Sequence, residues 1–238
     1  MSNIIEILPR MTDHKQEAAK AAMSIISAGQ TIGLGGGKTI AYLAELLAED
    51  PKLMQSLTLT SSSFETSVLL HAKGFRLVAP SFISRIDVYF DGCDVFDRQL
   101  NALKSGGGIH TMEKLLASAA DRFILLGDAG KYQATLNPKF PVAIEFLPQA
   151  LSIVSRRLGE LFPGTRFIQR MSTEKIGAAI SDNGNMLADL YFDVFPDPTE
   201  LDIQVKMIPG VVEHSLFRGM AHQAVVSGED GVKNIYPV

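Results

Sequence analysis

The sequence predicts an α/β protein in which an open, mostly parallel, Rossmann-like sheet carries helices on both faces. Three observations favour this class. Short apolar strands alternate with amphipathic helices as far as residue 128, and glycine-rich or acidic turns follow several of these strands. After Lys131 the pattern changes. There an Asn183-Gly184 turn between two alternating segments predicts a small antiparallel α+β domain.

The length of 238 residues suits one large domain with a smaller companion. We expect residues 1–136 and 209–238 to form the large α/β domain, and residues 137–208 the small α+β domain. The chain has 22 basic and 26 acidic residues, so its net charge is −4. Such a chain, without a basic block, gives no electrostatic reason to expect nucleic acid or an anionic membrane as a partner.

Cysteine usage and the N-terminal segment bear on the compartment. The single cysteine, Cys93, cannot form an internal disulfide and fits a reducing cytoplasm. Residues Met1 to Arg10 lack the basic head and apolar run of a signal peptide. No apolar run approaches the roughly 18 residues of a membrane span. We therefore expect a cytoplasmic protein without a membrane segment.

The elements of the large domain are predicted from hydrophobic periodicity. Residues 13–27 form a helix because Ala18, Ala22 and Ile25 share one face, and Gly29 follows as a stop signal. The strands predicted next are residues 31–35, 57–60, 76–80, 86–92 and 122–128. The helices between them lie in residues 38–50, 61–74 and 111–120.

The second half of the chain is predicted to be less regular. Three prolines within residues 137–148 suit a crossing between domains. Residues 175–181 and 186–192 alternate and form the two arms of a hairpin. Residues 197–210 predict a short helix ending near Pro209-Gly210, and residues 222–228 and 232–238 are strand-like.

The segment "GLGGGKT", residues 33–39, is a glycine loop between a strand and a helix. It fails the P-loop pattern because the first glycine of that pattern falls on Ile32. It fails the dinucleotide pattern because Lys38 stands where the third glycine belongs. Free amides at a helix start, together with Lys38, still favour an anion, most simply a phosphate. A glycine-rich turn with a solvated lysine remains the alternative.

Further charged residues follow other predicted strands. Taken one at a time, these residues have ordinary structural roles: an aspartate before glycine is usually a turn residue, and a lysine is usually a solvated charge. Together they recur where parallel strands end, which is where such sheets bind ligands. The set comprises Asp91, Asp94, Lys104, Glu113, Asp128 and Lys131.

Taken in order, these segments resemble the type A ribose-5-phosphate isomerase family. "GLGGGKT" is similar to the family loop G-x-G-T-G-S-T, and "TSSSFET" to its S-S-S-D segment. "FDGCDVF" is similar to D-G-A-D-E, and "KSGGGIHTMEK" to K-G-G-G-A-A-L-T-R-E-K. The tail segments "SDNGN", "IPGVV" and "DGVKNI" also fit. The resemblance runs from about Lys15 to Lys233, nearly the whole chain.

The resemblance implies an aldose–ketose isomerase that interconverts D-ribose 5-phosphate and D-ribulose 5-phosphate in the non-oxidative pentose phosphate pathway. It implies no metal or cofactor, and a homodimer or homotetramer. Glu113 is then the proton-transferring base, and Lys104 stabilises the enediolate oxygen. Asp91 and Asp94 contact sugar hydroxyls and assist ring opening. The implied substrate-binding residues are Gly36, Gly37, Lys38, Thr39, Ser61, Ser62, Gly92, Cys93, Ser105, Gly106, Gly107 and Lys131.

The chain departs from the family pattern around these residues. Gly36 and Lys38 replace a threonine and a serine, so the loop loses two hydroxyls and gains a charge. Phe64 replaces an aspartate, Val95 a glutamate and Ser105 a glycine. We expect Lys38 to contact the substrate phosphate in place of the lost hydroxyls. The departures leave the identity of the sugar phosphate open.

Three alternative functions remain. The chain is an isomerase of another sugar phosphate, a non-catalytic sugar-phosphate sensor, or a P-loop phosphotransferase. The retained Glu113 favours catalysis, and the failed P-loop pattern disfavours the last alternative. The five histidines show no metal-ligand spacing, so we expect a surface or packing role for His110 near Glu113. Cys93 is expected to be a small packed residue rather than a catalytic thiol.

Overall fold

The computed structural model describes residues 13–238, and the segment Met1 to Arg10 considered above lies outside them. No helix in residues 13–238 is long and apolar enough to cross a membrane. The α-helices are α1 (His14–Ala22), α2 (Lys38–Ala48), α3 (Pro51–Ser56), α4 (Phe64–Ala72), α5 (His110–Ser118), α6 (Leu151–Leu161) and α7 (Pro198–Lys206).

The strands form three sheets. They are β1 (Thr31–Leu34), β2 (Thr58–Ser61), β3 (Ile86–Asp91), β4 (Val95–Phe96), β5 (Ala102–Leu103), β6 (Ala120–Asp128), β7 (Val142–Phe146), β8 (Arg166–Gln169), β9 (Met186–Tyr191), β10 (Val211–His214), β11 (Leu216–Phe217), β12 (Gln223–Gly228) and β13 (Gly231–Ile235). The six-stranded sheet has the order β13-β12-β6-β3-β1-β2. The four-stranded sheet has the order β10-β7-β9-β8, and the three-stranded sheet β11-β5-β4.

The six-stranded sheet confirms the predicted open, mostly parallel architecture. All of its pairs are parallel except β12 with β13. From β1 the chain passes to β2 on one side, and then to β3 on the other side. This reversal makes a topological switch point next to β1, and a crevice opens at the carboxyl ends of the strands beside it.

Both faces of this sheet are buried, as the apolar strands predict. On β6, Ile124 and Leu126 pack in one cluster with residues of α1, α2 and α4. Phe123 and Leu125 alternate with them and pack in another cluster with Leu116 of α5. Because strand side chains alternate between faces, one apolar strand serves both layers.

The four-stranded sheet is antiparallel and packs with α6 and α7 around its own apolar cluster. Its strand β10 lies outside the range 137–208 that we assign to the small domain. The division into two domains therefore stays a prediction.

Three local predictions were wrong. Residues 76–80 are not a strand: Leu77 makes a single bridge to Leu59, and a 3-10 turn (Pro80–Phe82) follows. Residues 175–181 form only isolated bridges, at Ala178 and Ile180, and Gly177 among them has a φ of +124°, which lies outside the strand region. The predicted crossing at residues 137–148 contains the fully buried strand β7, which its prolines flank rather than interrupt.

Candidate active site

A cavity of about 620 Å³ opens at the carboxyl ends of β1 and β3. The turns after these strands form one side of it, and the start of α5 forms another. Its lining residues are Lys15, Gly36, Gly37, Lys38, Thr39, Ser63, Phe64, Glu65, Asp91, Gly92, Cys93, Asp94, Lys104, Gly106, Gly107, Ile109, Glu113, Lys131 and Asp182.

Most of the predicted site residues line this cavity, but three serines do not. Ser62 is buried and bonds the Tyr89 hydroxyl at 2.9 Å. The Ser61 hydroxyl donates to the Ser63 carbonyl at 3.2 Å. The Ser105 hydroxyl bonds Ser215 at 3.0 Å. These three side chains support the walls, and a direct contact between them and substrate stays an untested prediction.

The first glycine loop brings backbone amides to the cavity. Gly37 has a φ of +90° and precedes α2 without a side-chain cap, so the first amides of the helix stay open to a ligand. The Gly36 amide donates to the Asp91 carboxylate at 3.3 Å. A side chain at residue 36 would meet Ile109, whose Cδ1 lies 3.3 Å from an added Cβ. The family motif K-G-G-G-A-A-L-T-R-E-K has an alanine at the position of Ile109, so the missing hydroxyl at Gly36 and this larger side chain occur together.

Gly35 is required by the carboxylate beneath it. A Cβ added at Gly35 would lie 1.9 Å from Cγ of Asp91, a distance that forces the carboxylate to move. We expect Gly35→Ala to lower kcat about 10²-fold, because a displacement of about 1 Å in a reacting group costs that much. Initial rates of the isomerisation that the family resemblance implies measure it. The matched control is Gly159→Ala in α6, where nothing lies within 4 Å and turnover should not change. Equal rates for both variants would contradict this account.

Three buried charged residues form the centre of the site. The Lys104 ammonium lies 2.9 Å from the Asp91 carboxylate and 3.1 Å from the Glu113 carboxylate. It also donates to the Gly92 carbonyl. Each of the three residues is at most 6% exposed, so two carboxylates share one cation away from water.

Helix α5 explains why Glu113 points inward. Its buried residues are His110, Glu113, Leu116 and Ala117, which lie three to four positions apart and so share one face. Glu113 therefore occupies a core position of an amphipathic helix. A carboxylate at such a position is costly unless it is paired, which Lys104 provides.

The environment shifts the pKa of both partners. Burial and the nearby Asp91 charge raise the pKa of Glu113 to about 8, although Lys104 opposes this shift. Burial lowers the pKa of Lys104, but Asp91 and Glu113 outweigh burial and hold it above its ordinary value. Glu113 can therefore accept and release a proton near neutral pH, while Lys104 stays charged.

The sequence reasoning missed Tyr89, which donates a hydrogen bond of 2.7 Å to Asp91. Burial, Asp91 and Glu113 raise the pKa of Tyr89 well above its ordinary range, so it stays a donor. Its position two residues before Asp91 places both side chains on one face of β3. That spacing is a signal that the sequence contains.

The second glycine loop and Lys131 fix the other side of the cavity. The Asp94 carboxylate accepts hydrogen bonds from the amides of Ser105 at 2.6 Å and Gly106 at 3.1 Å. The Lys131 ammonium donates to the Cys93 carbonyl at 2.5 Å. Asp94 thus keeps free acceptor capacity toward the cavity.

Lys38 is already paired. Its ammonium lies 3.1 Å from the Asp13 carboxylate and above the Tyr42 ring. Asp13 also caps α1 and accepts from the Tyr42 hydroxyl at 2.6 Å. Lys15, which no sequence motif singled out, lines the same cavity as Lys38 and the first glycine loop. A second cation near that loop strengthens the case for an anion site.

His110 and Cys93 are both buried, which is consistent with the packing roles expected for them, while a contact between Cys93 and substrate stays an untested prediction. His110 is fully buried in α5, and burial lowers its pKa to about 4. Burial raises the pKa of the Cys93 thiol to about 12, so it is not a thiolate near neutral pH. Among residues 13–238, no three His, Cys, Asp or Glu side chains form a group that could hold a metal ion.

The geometry suits proton transfer between adjacent carbon atoms. One carboxylate with a raised pKa can take and return the proton, and an ammonium beside it can stabilise the oxygen that gains charge. Amides and lysines near the first glycine loop can bind an anionic group at the other end. A phosphorylated aldose or ketose carries both features.

Comparisons with known proteins agree with this chemistry. The family described as ribose 5-phosphate isomerase A (phosphoriboisomerase A) matches residues 58–231. A relative from Synechococcus, named ribose-5-phosphate isomerase A, is 35% identical over 93% of this chain and 95% of its own.

Two solved structures are also similar. Ribose 5-phosphate isomerase A from Methanocaldococcus jannaschii superposes with a TM-score of 0.87, is 34% identical, and covers 94% of this chain and 98% of its own. A D-ribose-5-phosphate isomerase in complex with phospho-erythronic acid has a TM-score of 0.88 and 33% identity. Coverage there is 95% of this chain and 100% of the other.

Proposed function

This chain belongs to the ribose 5-phosphate isomerase A family, and on that premise we propose that it interconverts D-ribose 5-phosphate and D-ribulose 5-phosphate. It is an aldose–ketose isomerase. The single observation that carries the assignment to this site is the buried cluster in which Lys104 bridges Asp91 and Glu113.

The proposed reaction is a proton transfer through an enediolate. Glu113 removes the proton from C2 of the open-chain aldose, and the carbonyl oxygen at C1 gains the negative charge. The hydroxyl proton passes from O2 to O1, which leaves the negative charge on O2. The same carboxyl then returns the carbon-bound proton to C1, so that O2 becomes the ketose carbonyl and O1 a hydroxyl. Lys104 stabilises the charged oxygen in both halves, and a preorganised cation in a dry site costs no reorganisation.

Asp91 and Asp94 are proposed to bind hydroxyls and assist ring opening. Asp91 accepts from Tyr89, Gly92 and Gly36, and so is held rigidly at the cavity floor. Asp94 is held by two amides of the second glycine loop. Fixed carboxylates of this kind orient a flexible sugar before proton transfer.

The substrate phosphate is proposed to bind at the first glycine loop. Amides at the start of α2 face the cavity, and Lys15 and Lys38 add positive charge there. The neighbour that binds phospho-erythronic acid is consistent with such a two-ended site. That ligand joins a phosphate to a carboxylate, and a carboxylate has the planar, anionic form of an enediolate.

Lys38→Ala tests whether Lys38 contacts the phosphate. We expect KM for ribose 5-phosphate to rise about 3- to 10-fold with kcat unchanged, since one hydrogen bond at an exposed site is lost from ground and transition states alike. Steady-state kinetics measure it. Lys20→Ala is the control, because Lys20 also pairs with an acidic residue near α1 but lies outside the cavity. An unchanged KM would remove Lys38 from the phosphate site.

A substrate comparison tests the assignment itself. Ketose formation is measured with ribose 5-phosphate, arabinose 5-phosphate and unphosphorylated ribose. We expect kcat/KM to be highest for ribose 5-phosphate. A clear preference for another aldose phosphate would assign the site to a different sugar. Binding of ribose 5-phosphate without turnover would favour the sensor.

Assembly and compartment are proposed from the family resemblance and the lone cysteine. We propose a homodimer or homotetramer in the cytoplasm. Light scattering of the purified protein across a concentration range measures the assembly.

A further inference from the structure

Glu145 of β7 is a buried carboxylate that does not touch the cavity. It is 0% exposed and has four donor side chains: Thr111, Ser181, Asn183 and Asn185. Burial raises its pKa, but these hydrogen bonds outweigh burial, so the pKa of Glu145 lies below its ordinary value. Glu145 is thus an anion held by neutral donors, and the proposed function gives it no task.

The four donors come from two parts of the molecule. Thr111 lies in α5, two residues before Glu113. The other three belong to the turn at residues 181–185. Hydrogen bonds within this turn join Ser181 and Asn185 at 2.8 Å, and Gly184 adopts a φ of +83°. Glu145 therefore ties the helix that carries the base to this turn.

The turn contributes one side chain to the cavity. Asp182 lies between Ser181 and Asn183, both of which bond Glu145, and it lines the same cavity as Glu113 and Lys104. Among the described lining residues, Asp182 alone comes from residues 137–208. Its carboxylate is exposed.

We infer that Asp182 accepts a hydrogen bond from a hydroxyl at C3 or C4 of the substrate, and that Glu145 is the positioning residue that holds Asp182 in the cavity wall. This inference rests on the proposed function. An aspartate carboxylate beside the substrate phosphate would repel it, because both are negatively charged. The substrate atoms at C1 and C2 are already proposed to contact Glu113 and Lys104. Beyond the hydroxyls that Asp91 and Asp94 are proposed to bind, a hydroxyl at C3 or C4 lies between the two ends and is the group that remains for the Asp182 carboxylate.

Kinetics with deoxy substrates test the role of Asp182. Ribose 5-phosphate is compared with its 3-deoxy and 4-deoxy analogues, using the wild type and Asp182→Ala. We expect Asp182→Ala to lower kcat/KM for ribose 5-phosphate about tenfold, as loss of a charged hydrogen bond does. The 4-deoxy analogue lacks the ring oxygen and stays open-chain, so each analogue is compared between the two enzymes. With one of the analogues, Asp182→Ala should change kcat/KM by less than about twofold. If Asp182→Ala lowered kcat/KM about tenfold with both deoxy analogues as well, the proposed hydrogen bond would be overturned.

The control for charge is Asp193→Ala. Asp193 is exposed, follows β9 and does not line the cavity, so we expect kcat/KM to stay at the wild-type value. An equal loss in both variants would show a general charge effect and overturn the inference. No turnover by the wild type would contradict the proposed function instead. Normal wild-type turnover with an unchanged Asp182→Ala would contradict this inference alone.

Glu145→Gln tests the positioning role. Glutamine keeps the volume but turns an amide donor toward the donors of the turn, so the turn should lose its fixed position. We expect kcat/KM to fall about tenfold in the wild type and by less than about twofold when Asp182→Ala is already present. Full additivity in this double-mutant cycle would show that Glu145 is only structural, and thermal melting of each variant records any loss of fold.

Discussion

Replacing Glu113 by glutamine is expected to lower kcat for ribose 5-phosphate about 10³-fold with little change in KM. Glutamine fills the same volume beside Lys104 but cannot accept the proton from C2. General base catalysis is typically worth about 10²–10⁴-fold, and this step has one base in both directions. Initial rates of ketose formation measure the effect.

The fold of this variant should be preserved. The substitution replaces a buried carboxyl, whose pKa is already raised, by a neutral amide, so the melting temperature should change little. Glu200→Gln, at an exposed position in the first turn of α7, is the control and should keep wild-type turnover. If Glu113→Gln kept more than about a tenth of the wild-type kcat, another group would be the base.

Replacing Lys104 by methionine is expected to damage both catalysis and stability. Loss of one group that stabilises an oxyanion typically costs about 10²–10³-fold in kcat. Lys104 is also the shared cation of Asp91 and Glu113, and removing one partner of a buried pair typically costs about 3–5 kcal/mol. Steady-state rates and thermal melting measure the two effects separately.

The stability loss should depend on pH. Without Lys104, the pKa of Glu113 rises further in the folded state, because Lys104 now lowers it. A carboxyl with a raised folded pKa stabilises the fold below its unfolded pKa and loses that effect as pH rises. Lys104→Met should therefore melt further below the wild type at about pH 9 than at about pH 6.

Lys114→Met is the matched control for Lys104. Lys114 follows Glu113 in α5 and forms a largely buried pair with Glu213 at 2.9 Å, but it does not line the cavity. Its loss should lower the melting temperature and leave kcat near the wild-type value. Wild-type kcat in Lys104→Met would contradict the role of Lys104 in stabilising the enediolate.

The sequence predicted the large sheet well because its signals are local. A short run of apolar residues predicts a buried strand from its own sequence, and glycine turns such as Gly35 to Gly37 mark where strands end. The charged residues after β3 and β6 were found in the same way, since parallel strands end at one edge. The spacing of Asp91, Lys104 and Glu113 matches the family pattern, and the roles expected for these residues came from that resemblance.

The other parts of the site depend on contacts distant in sequence. Asp182 was predicted only as a turn residue, because nothing near it shows that Glu145 draws the turn to the cavity. Lys15 lies on a helix whose packing on the sheet no local pattern predicts. The ion pair of Lys38 with Asp13 likewise depends on how the start of α1 lies against α2, which no local pattern predicts. A strand bounded by prolines, as β7 is, resembles a crossing between domains in the sequence, because prolines usually mark loops.

The pH dependence of kcat/KM for ribose 5-phosphate tests the central claim most directly, since it reports the base in the free enzyme. With the pKa of Glu113 at about 8, kcat/KM should rise about tenfold per pH unit below this value and level off above it. Ionisation of the substrate phosphate, near about pH 6, adds a separate limb to the pH profile at lower pH. The residual activity of Glu113→Gln should lack the limb near pH 8. A wild-type profile that is already level from about pH 6.5 to pH 9 would contradict a buried Glu113 as the base.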